Sequence, residues 1–205
     1  MALNACETAE VVPGSVHVLY PDKRGILPLD DSFHVRKSLK KIIRQGRFDV
    51  TFDHSFEEVI AGCAEDRVND EGTWINDFIR EAYIRLHHSG FAHSVECWNA
   101  ETGELAGGLY GVRSGGLFAG ESMFSREPNA SQVALVALVE RLRAGGFALL
   151  DTQFMTDHLK QFGGQSIPQS DYKKRLAFAL NQDAQWAPQD AHSAENGRDP
   201  PLPQG

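Results

Sequence analysis

GGLYGV (107–112), FAGESMFSREPNAS (118–131) and LLDTQF (149–154) are the pieces of sequence on which the fold turns. The first two are apolar runs separated by a gap containing RSGG (113–116), which suits a tight turn, so they read as antiparallel neighbours. The break NAETG (99–103) places one more strand before them, giving a meander over about 92–99, 104–112 and 117–124. Asn129 followed by Gln132 predicts a capped helix that runs to Ala144 and stops at Gly145-Gly146. The apolar run Phe147 to Phe154 is reached through that helix, so it should lie parallel to its partner by a right-handed crossover. The predicted class is α+β, an antiparallel meander followed by β-α-β with helices on the faces. Glu121 and Asp151 then sit near the ends of two apolar strands, with the Gln153 carboxamide two residues beyond.

Working outward, Val35, Leu39, Ile42 and Ile43 recur at helical spacing between Phe33 and Arg44, with Lys37, Lys40, Lys41 and Arg44 on the other face. Gly25 to Phe33 reads as an extended entry, and Phe48, Val50 and Phe52 alternate as in a half-buried strand. Ser55 with Glu58 predicts a capping box for a short helix burying Phe56, Val59, Ile60 and Cys63. After an acidic loop at 65–72, a helix starting near Ile75 keeps Phe78, Ile79, Ala82, Tyr83 and Leu86 on one face until Gly90. Further helices are expected over Thr156 to Phe162 and Asp171 to Leu180. The expected organisation is a poorly ordered segment at 1–19, one domain at 20–181 and a flexible tail at 182–205, rich in Gln, Asp, Pro, Ala and Gly.

With 205 residues, 41% hydrophobic and 23% charged, the chain can bury one ordinary core. Its three cysteines form no CxxC pair, which favours a reducing compartment and argues against a structural zinc. The histidines, including His87-His88, lack ligand spacing, so no metal is expected. No apolar run is long enough to span a bilayer, and no leader is recognisable at Met1 to Glu10. The net charge of −8 argues against indiscriminate nucleic-acid binding. Yet six of the twenty basic side chains fall within residues 36–47, where there is no acid. A single basic strip on an acidic protein points to a localised phosphate contact.

The segments RGILPLD (24–30), FHV (33–35), EGTWI (71–75), EAYIRLHHSGFAHSVE (81–96), GGLYGV, GESMFSR (120–126) and DTQF (151–154) together resemble the leucyl/phenylalanyl-tRNA–protein transferase family. The likeness is colinear from about Tyr20 to Leu180. It implies an acyl-CoA N-acyltransferase-like (GNAT) fold and transfer of Leu or Phe from charged tRNA to a protein beginning with Arg or Lys, a mark for proteolysis. It also implies a cytoplasmic enzyme, expected here to be monomeric, without membrane or cofactor, for which aminoacyl-tRNA is a substrate. Acetyltransferases of this fold cradle coenzyme A on a glycine-bearing loop, but the corresponding turn here, SREPNAS (125–131), has no glycine. The family usually begins with a small domain carrying GGDLS-type and GIFPWF-type motifs, which residues 1–19 do not match. Two other readings stay open at this point: a binding paralogue without catalysis, and a coenzyme A-dependent N-acyltransferase.

By motif match, Asp151, Gln153 and Glu121 correspond to the family's polar centre, with Asp151 and Gln153 expected on one side of their strand. An aminoacyl ester is already activated, so the site needs positioning and a route for one proton. Gln153 can hydrogen-bond the ester carbonyl or the amine, and Asp151 can orient either; Glu121 can instead bind the basic residue of the acceptor. Leu109, Phe118, Met123 and Leu150, with Phe147 as a weaker candidate, are expected to line a pocket for the transferred side chain. Trp74, Tyr83 and Ser94 are candidates for the tRNA 3′ adenosine, and Lys37, Lys40, Lys41 and Arg44 for tRNA phosphates. Core packing, a helix-start cover and a solvated face are the plain alternatives for these three sets.

Overall fold

The computed structural model describes residues 22–65 and 74–186. The expectations for residues 1–19, for the acidic loop beyond Glu65 and for the tail beyond Trp186 lie outside that range. The strands are β1 (Lys23–Leu27), β2 (Phe48–Phe52), β3 (Ala92–Asn99), β4 (Leu105–Ser114), β5 (Leu117–Ser125), β6 (Leu149–Gln153) and β7 (Gln165–Pro168). They form one seven-stranded sheet in the order β2-β3-β4-β5-β6-β1-β7. The helices are α1 (Lys37–Arg44), α2 (Phe56–Ala64), α3 (Asp77–His88), α4 (Ala130–Ala144), α5 (Asp157–Lys160) and α6 (Gln169–Leu180). The meander is present as β3-β4-β5, all antiparallel, and α4 carries the chain over to β6, which runs parallel to β5. The fold is thus the expected α+β, GNAT-like arrangement.

Each face of the sheet is covered by different helices. α4 lies on one face, where Val133, Leu138 and Leu142 pack on Val95, Cys97, Leu109, Phe118 and Leu150, with Leu39 of α1 in the same cluster. Gly107 lets the start of α4 come this close, since a Cβ there would stand 2.8 Å from Ala130 Cβ. On the other face α2 and α3 cover β3–β5 around Phe56, Ile60 and Tyr110. Beside them α6 covers the far strands through Ile26, Leu149, Ile167 and Ala179. Among the described residues no helix is long and apolar enough to cross a membrane.

The structure corrects the sequence reading in several places. The expected extended entry is a full strand, β1, hydrogen-bonded to both β6 and β7. β7 itself had no sequence signal: of its four residues only Ile167 is buried, so no alternation marks it. It ends on Pro168 at the sheet edge, where a missing N–H is tolerated. α1 starts at Lys37, because Phe33 is stacked on Phe162 at 5.6 Å and the His34 N–H donates to the Phe162 carbonyl at 3.1 Å. Neither expected capping box forms. The Ser55 side chain makes no cap bond, and the Asn129 and Gln132 amide oxygens instead accept from Arg36 Nη2 at 3.0 and 2.9 Å.

The tail also begins later than expected. Ala184 is 2% exposed, and the Gln185 N–H donates to the Gly145 carbonyl at 2.9 Å. The Trp186 ring is sandwiched by Phe118 at 5.6 Å and His93 at 4.2 Å, with the Arg141 guanidinium 4.7 Å from its centroid. Polar composition around one large aromatic hid this packing. Trp186→Ala should therefore cost about 3 kcal/mol of stability, measured by chemical denaturation; a change near zero would mean that this packing does not support the fold.

Candidate active site

The parallel pairing of β5 with β6 runs through Leu117–Leu149 and Phe118–Leu150 and ends at Ala119–Asp151. Beyond that pair the two strands part. On the β4 side, Tyr110 faces Ser122 while Gly111 faces Gly120, which leaves Glu121 bulged out of the ladder. A bulge of this kind re-aims a side chain that strict alternation would send elsewhere. On the other side of the gap Gln153 ends β6 in a left-handed conformation, φ 62°. The two meet across the opening: Gln153 Nε2 donates to Glu121 Oε2 at 2.9 Å. The Tyr83 phenol, from α3, lies beside the Glu121 carboxylate and favours its ionised form.

Tyr83 stands edge-on to Tyr110 at 5.1 Å and to Trp74 at 6.4 Å. Trp74 is 52% exposed, so its ring is free to take a stacking partner next to the polar centre. Burial pushes the Glu121 carboxyl above its ordinary value, against the Gln153 hydrogen bond and the neighbouring Tyr83 phenol, which pull it down. Burial, and then the Glu121 charge, push the Tyr83 phenol well above its ordinary value, so it stays a donor.

Asp151 has a different environment. It is 1% exposed, and Arg24 holds it in a fork, with Nε 3.0 Å from both carboxylate oxygens and Nη2 2.9 Å from Oδ2. The Tyr172 hydroxyl donates to Oδ2 at 2.6 Å, and the Gln153 backbone N–H donates to Oδ1 at 2.8 Å. Burial opposes the Arg24 charge, but the Asp151 hydrogen bonds and charge outweigh it and raise the guanidinium pKa. The expected side-by-side placement of Asp151 and Gln153 is therefore corrected. The left-handed turn breaks the alternation, so Asp151 aims at β1 and α6 while the Gln153 carboxamide aims at Glu121.

The remaining candidates separate. Leu109, Phe118 and Leu150 are 3%, 0% and 1% exposed within the core beneath α4, with Phe147 edge-on to Phe118; Met123 is only partly buried against that cluster. Ser94 pairs with Tyr110 across β3 and β4. It is fully buried, and its hydroxyl donates at 2.5 Å to Glu96, which also accepts from Thr51 at 2.7 Å. Lys37, Lys40, Lys41 and Arg44 all project from α1 as exposed side chains. Arg24 and Tyr172 carried no role in the sequence reading. They lie 127 and 21 residues from Asp151 in the chain, and no local pattern links such positions.

The geometry of Glu121 has a consequence for its titration. Because burial raises its pKa, its contribution to stability is present below the unfolded-chain value, about 4.3, and is lost as the pH rises through its own higher midpoint. Carboxyl ¹³C NMR should find Glu121 titrating above that value, and Tyr83→Phe, which removes a donor to the ionised form, should move the midpoint further up. A downward move in Y83F would refute this role of the Tyr83 phenol.

The family described as Leucyl/phenylalanyl-tRNA protein transferase matches residues 26–177. The leucyl/phenylalanyl-tRNA--protein transferase of Maricaulis maris is 54% identical over 165 residues, covering 80% of this chain and 75% of its own. That of Herpetosiphon aurantiacus is 54% identical over 167 residues, covering 82% and 84%. Among solved structures, that of L-PGS from Bacillus licheniformis aligns with a TM-score of 0.50 at 11% identity, over 78% of this chain and 65% of that one, a likeness of fold alone. A family match across most of the described domain, together with such identity over four-fifths of the chain, shows that this chain belongs to the leucyl/phenylalanyl-tRNA–protein transferase family.

Proposed function

We propose that this chain transfers Leu or Phe from aminoacyl-tRNA to the N-terminal Arg or Lys of acceptor proteins, marking them for proteolysis in the cytoplasm. The observation that carries the chemical reading is the Glu121–Gln153 hydrogen bond spanning the gap between β5 and β6. A donor and an acceptor are presented together there, where a reacting ester and amine can enter.

The reaction is an acyl transfer between oxygen and nitrogen. The acceptor amine attacks the ester carbonyl carbon, the new C–N bond forms, and the C–O bond to the tRNA 3′-terminal ribose breaks. One proton leaves the nitrogen and one reaches the departing ribose oxygen, so the products are an amide and a free tRNA hydroxyl. Glu121 is the better carboxylate for carrying that proton. Its pKa is raised, and the Gln153 carboxamide that donates to it can be exchanged for a substrate group. Asp151 is unsuited to the task, since both its oxygens are already held by Arg24, Tyr172 and the Gln153 amide. With Glu121 as acceptor, the Gln153 Nε2–H is available to the ester carbonyl as negative charge develops on it.

Trp74, exposed and edge-on to Tyr83, would stack on the terminal adenosine. Half-buried Met123 is the member of the candidate pocket set that stays partly accessible to a transferred side chain, since Leu109, Phe118 and Leu150 are closed in the core beneath α4. The exposed cations of α1 would track acceptor-stem phosphates as a sequence-independent contact. No cofactor enters this scheme. At the α4 start, where a coenzyme A pyrophosphate would need free amides, the Ser131 N–H is turned to Ser125 Oγ at 3.3 Å and the Ala130 N–H to the Glu127 carbonyl at 3.2 Å.

The direct test is transfer of radiolabelled Phe from Phe-tRNA to a peptide beginning with Arg, against controls beginning with Ala and against acetyl-CoA as donor. Wild-type protein should label the Arg peptide, and Glu121→Gln should lower kcat by about 10²-fold or more. Labelling from acetyl-CoA alone would overturn the assignment. Changing Lys37, Lys40, Lys41 and Arg44 together to Ala should raise the tRNA KM and flatten its salt dependence by up to about three to four units of log–log slope; an unaltered slope removes α1 from the tRNA footprint.

A further inference from the structure

We propose that Arg24 and Tyr172 are positioning residues for aminoacyl transfer: acting through Asp151, they fasten the turn at Gln153 so that its carboxamide stays on Glu121. The inference deepens the proposed function and rests on Glu121 and Gln153 being the transfer centre.

Gln153 is held where a side-chain-bearing residue does not rest by itself. Its φ of 62° is left-handed, and such a conformation in a non-glycine residue persists when the surroundings over-determine it. What holds it is the 2.8 Å hydrogen bond from its own N–H to Asp151 Oδ1. That oxygen can hold the turn only if Asp151 itself is fixed. Two elements distant in sequence do this. β1 brings the Arg24 fork, whose planar geometry sets the carboxylate plane, and α6 brings the Tyr172 hydroxyl at 2.6 Å. The Arg24 guanidinium also lies 5.3 Å from the centroid of the Tyr172 ring, so the two groups brace each other.

The neighbour of Arg24 provides the clearance. Gly25 is paired with Gln153 in the β1–β6 ladder, at a register shift, and a Cβ there would stand 2.7 Å from the Phe154 carbonyl carbon. One dipeptide of β1 therefore supplies both the clamp and the space into which the turn folds. The chain of contacts Arg24/Tyr172–Asp151–Gln153–Glu121 connects β1 and α6 to the reacting centre without either residue touching substrate.

The test combines kinetics with NMR of the Gln153 side-chain amide in ¹⁵N-labelled protein. Tyr172→Phe and Arg24→Gln should each move the Gln153 amide signals toward those of free glutamine and lower kcat by about tenfold or more, while the KM for Phe-tRNA stays within about twofold. Arg24→Lys keeps the charge but loses the fork, and should not restore the rate. R24Q combined with Asp151→Asn should be no slower than D151N alone, since Arg24 acts through that carboxylate. Because R24Q strands a buried carboxylate, Y172F carries the test by itself if R24Q does not fold. Unmoved Gln153 signals in Y172F, or an R24Q defect that adds in full to that of D151N, would overturn the proposal. The NMR readout needs no activity, so a wild type that transfers nothing would count against the function and leave the clamp to be judged by Gln153 alone.

Discussion

A carboxylate that is 1% exposed must be met by charge and hydrogen bonds or be neutralised, and Asp151 is met from three directions at once. Arg24 reaches it from β1, Tyr172 from α6, and the Gln153 amide from the turn that follows β6. This one group therefore ties the far strands of the sheet to the strand bearing the site. It also explains why β1, an early piece of chain, is inserted between β6 and β7: only there can Arg24 present both Nε and Nη2 to the same side chain.

Two carboxylates of similar intrinsic acidity thus take different parts because their surroundings differ. Asp151 is saturated by a cation, a phenol and an amide, which makes it a fixed strut. Glu121 is half-buried, meets only neutral donors from Gln153 and Tyr83, and has its pKa pushed up by desolvation. That combination suits a group that must gain and lose a proton while substrates come and go. The β-bulge at Glu121 and the left-handed turn at Gln153 are the backbone devices that turn these side chains toward each other as β5 and β6 diverge.

Much of this was legible in the order of residues. The breaks NAETG and RSGG marked the meander, because short glycine-bearing gaps between apolar runs leave antiparallel pairing as the economical solution. The long α4 and its glycine stop predicted the parallel crossover, and motif spacing picked out Glu121, Gln153, Tyr83 and Trp74, which the fold gathers into one place. What the residue order did not display were partners brought in from elsewhere in the chain. The Asn129 and Gln132 oxygens went to Arg36 instead of their helix. Trp186, inside a polar-looking tail, found Phe118 and His93.

Sequence alone determined the α+β class, the strand pair that bears the site and the residue types that could do acyl-transfer chemistry, since these follow from periodicity, turn chemistry and motif. Only the tertiary structure decided which carboxylate is locked and which is available. That choice depends on Arg24 and Tyr172, 127 residues before and 21 residues after Asp151, whose contacts exist only once the sheet has closed around them. Burial and pairing are properties of the folded neighbourhood, and they set the electrostatics that a linear pattern of acids cannot display.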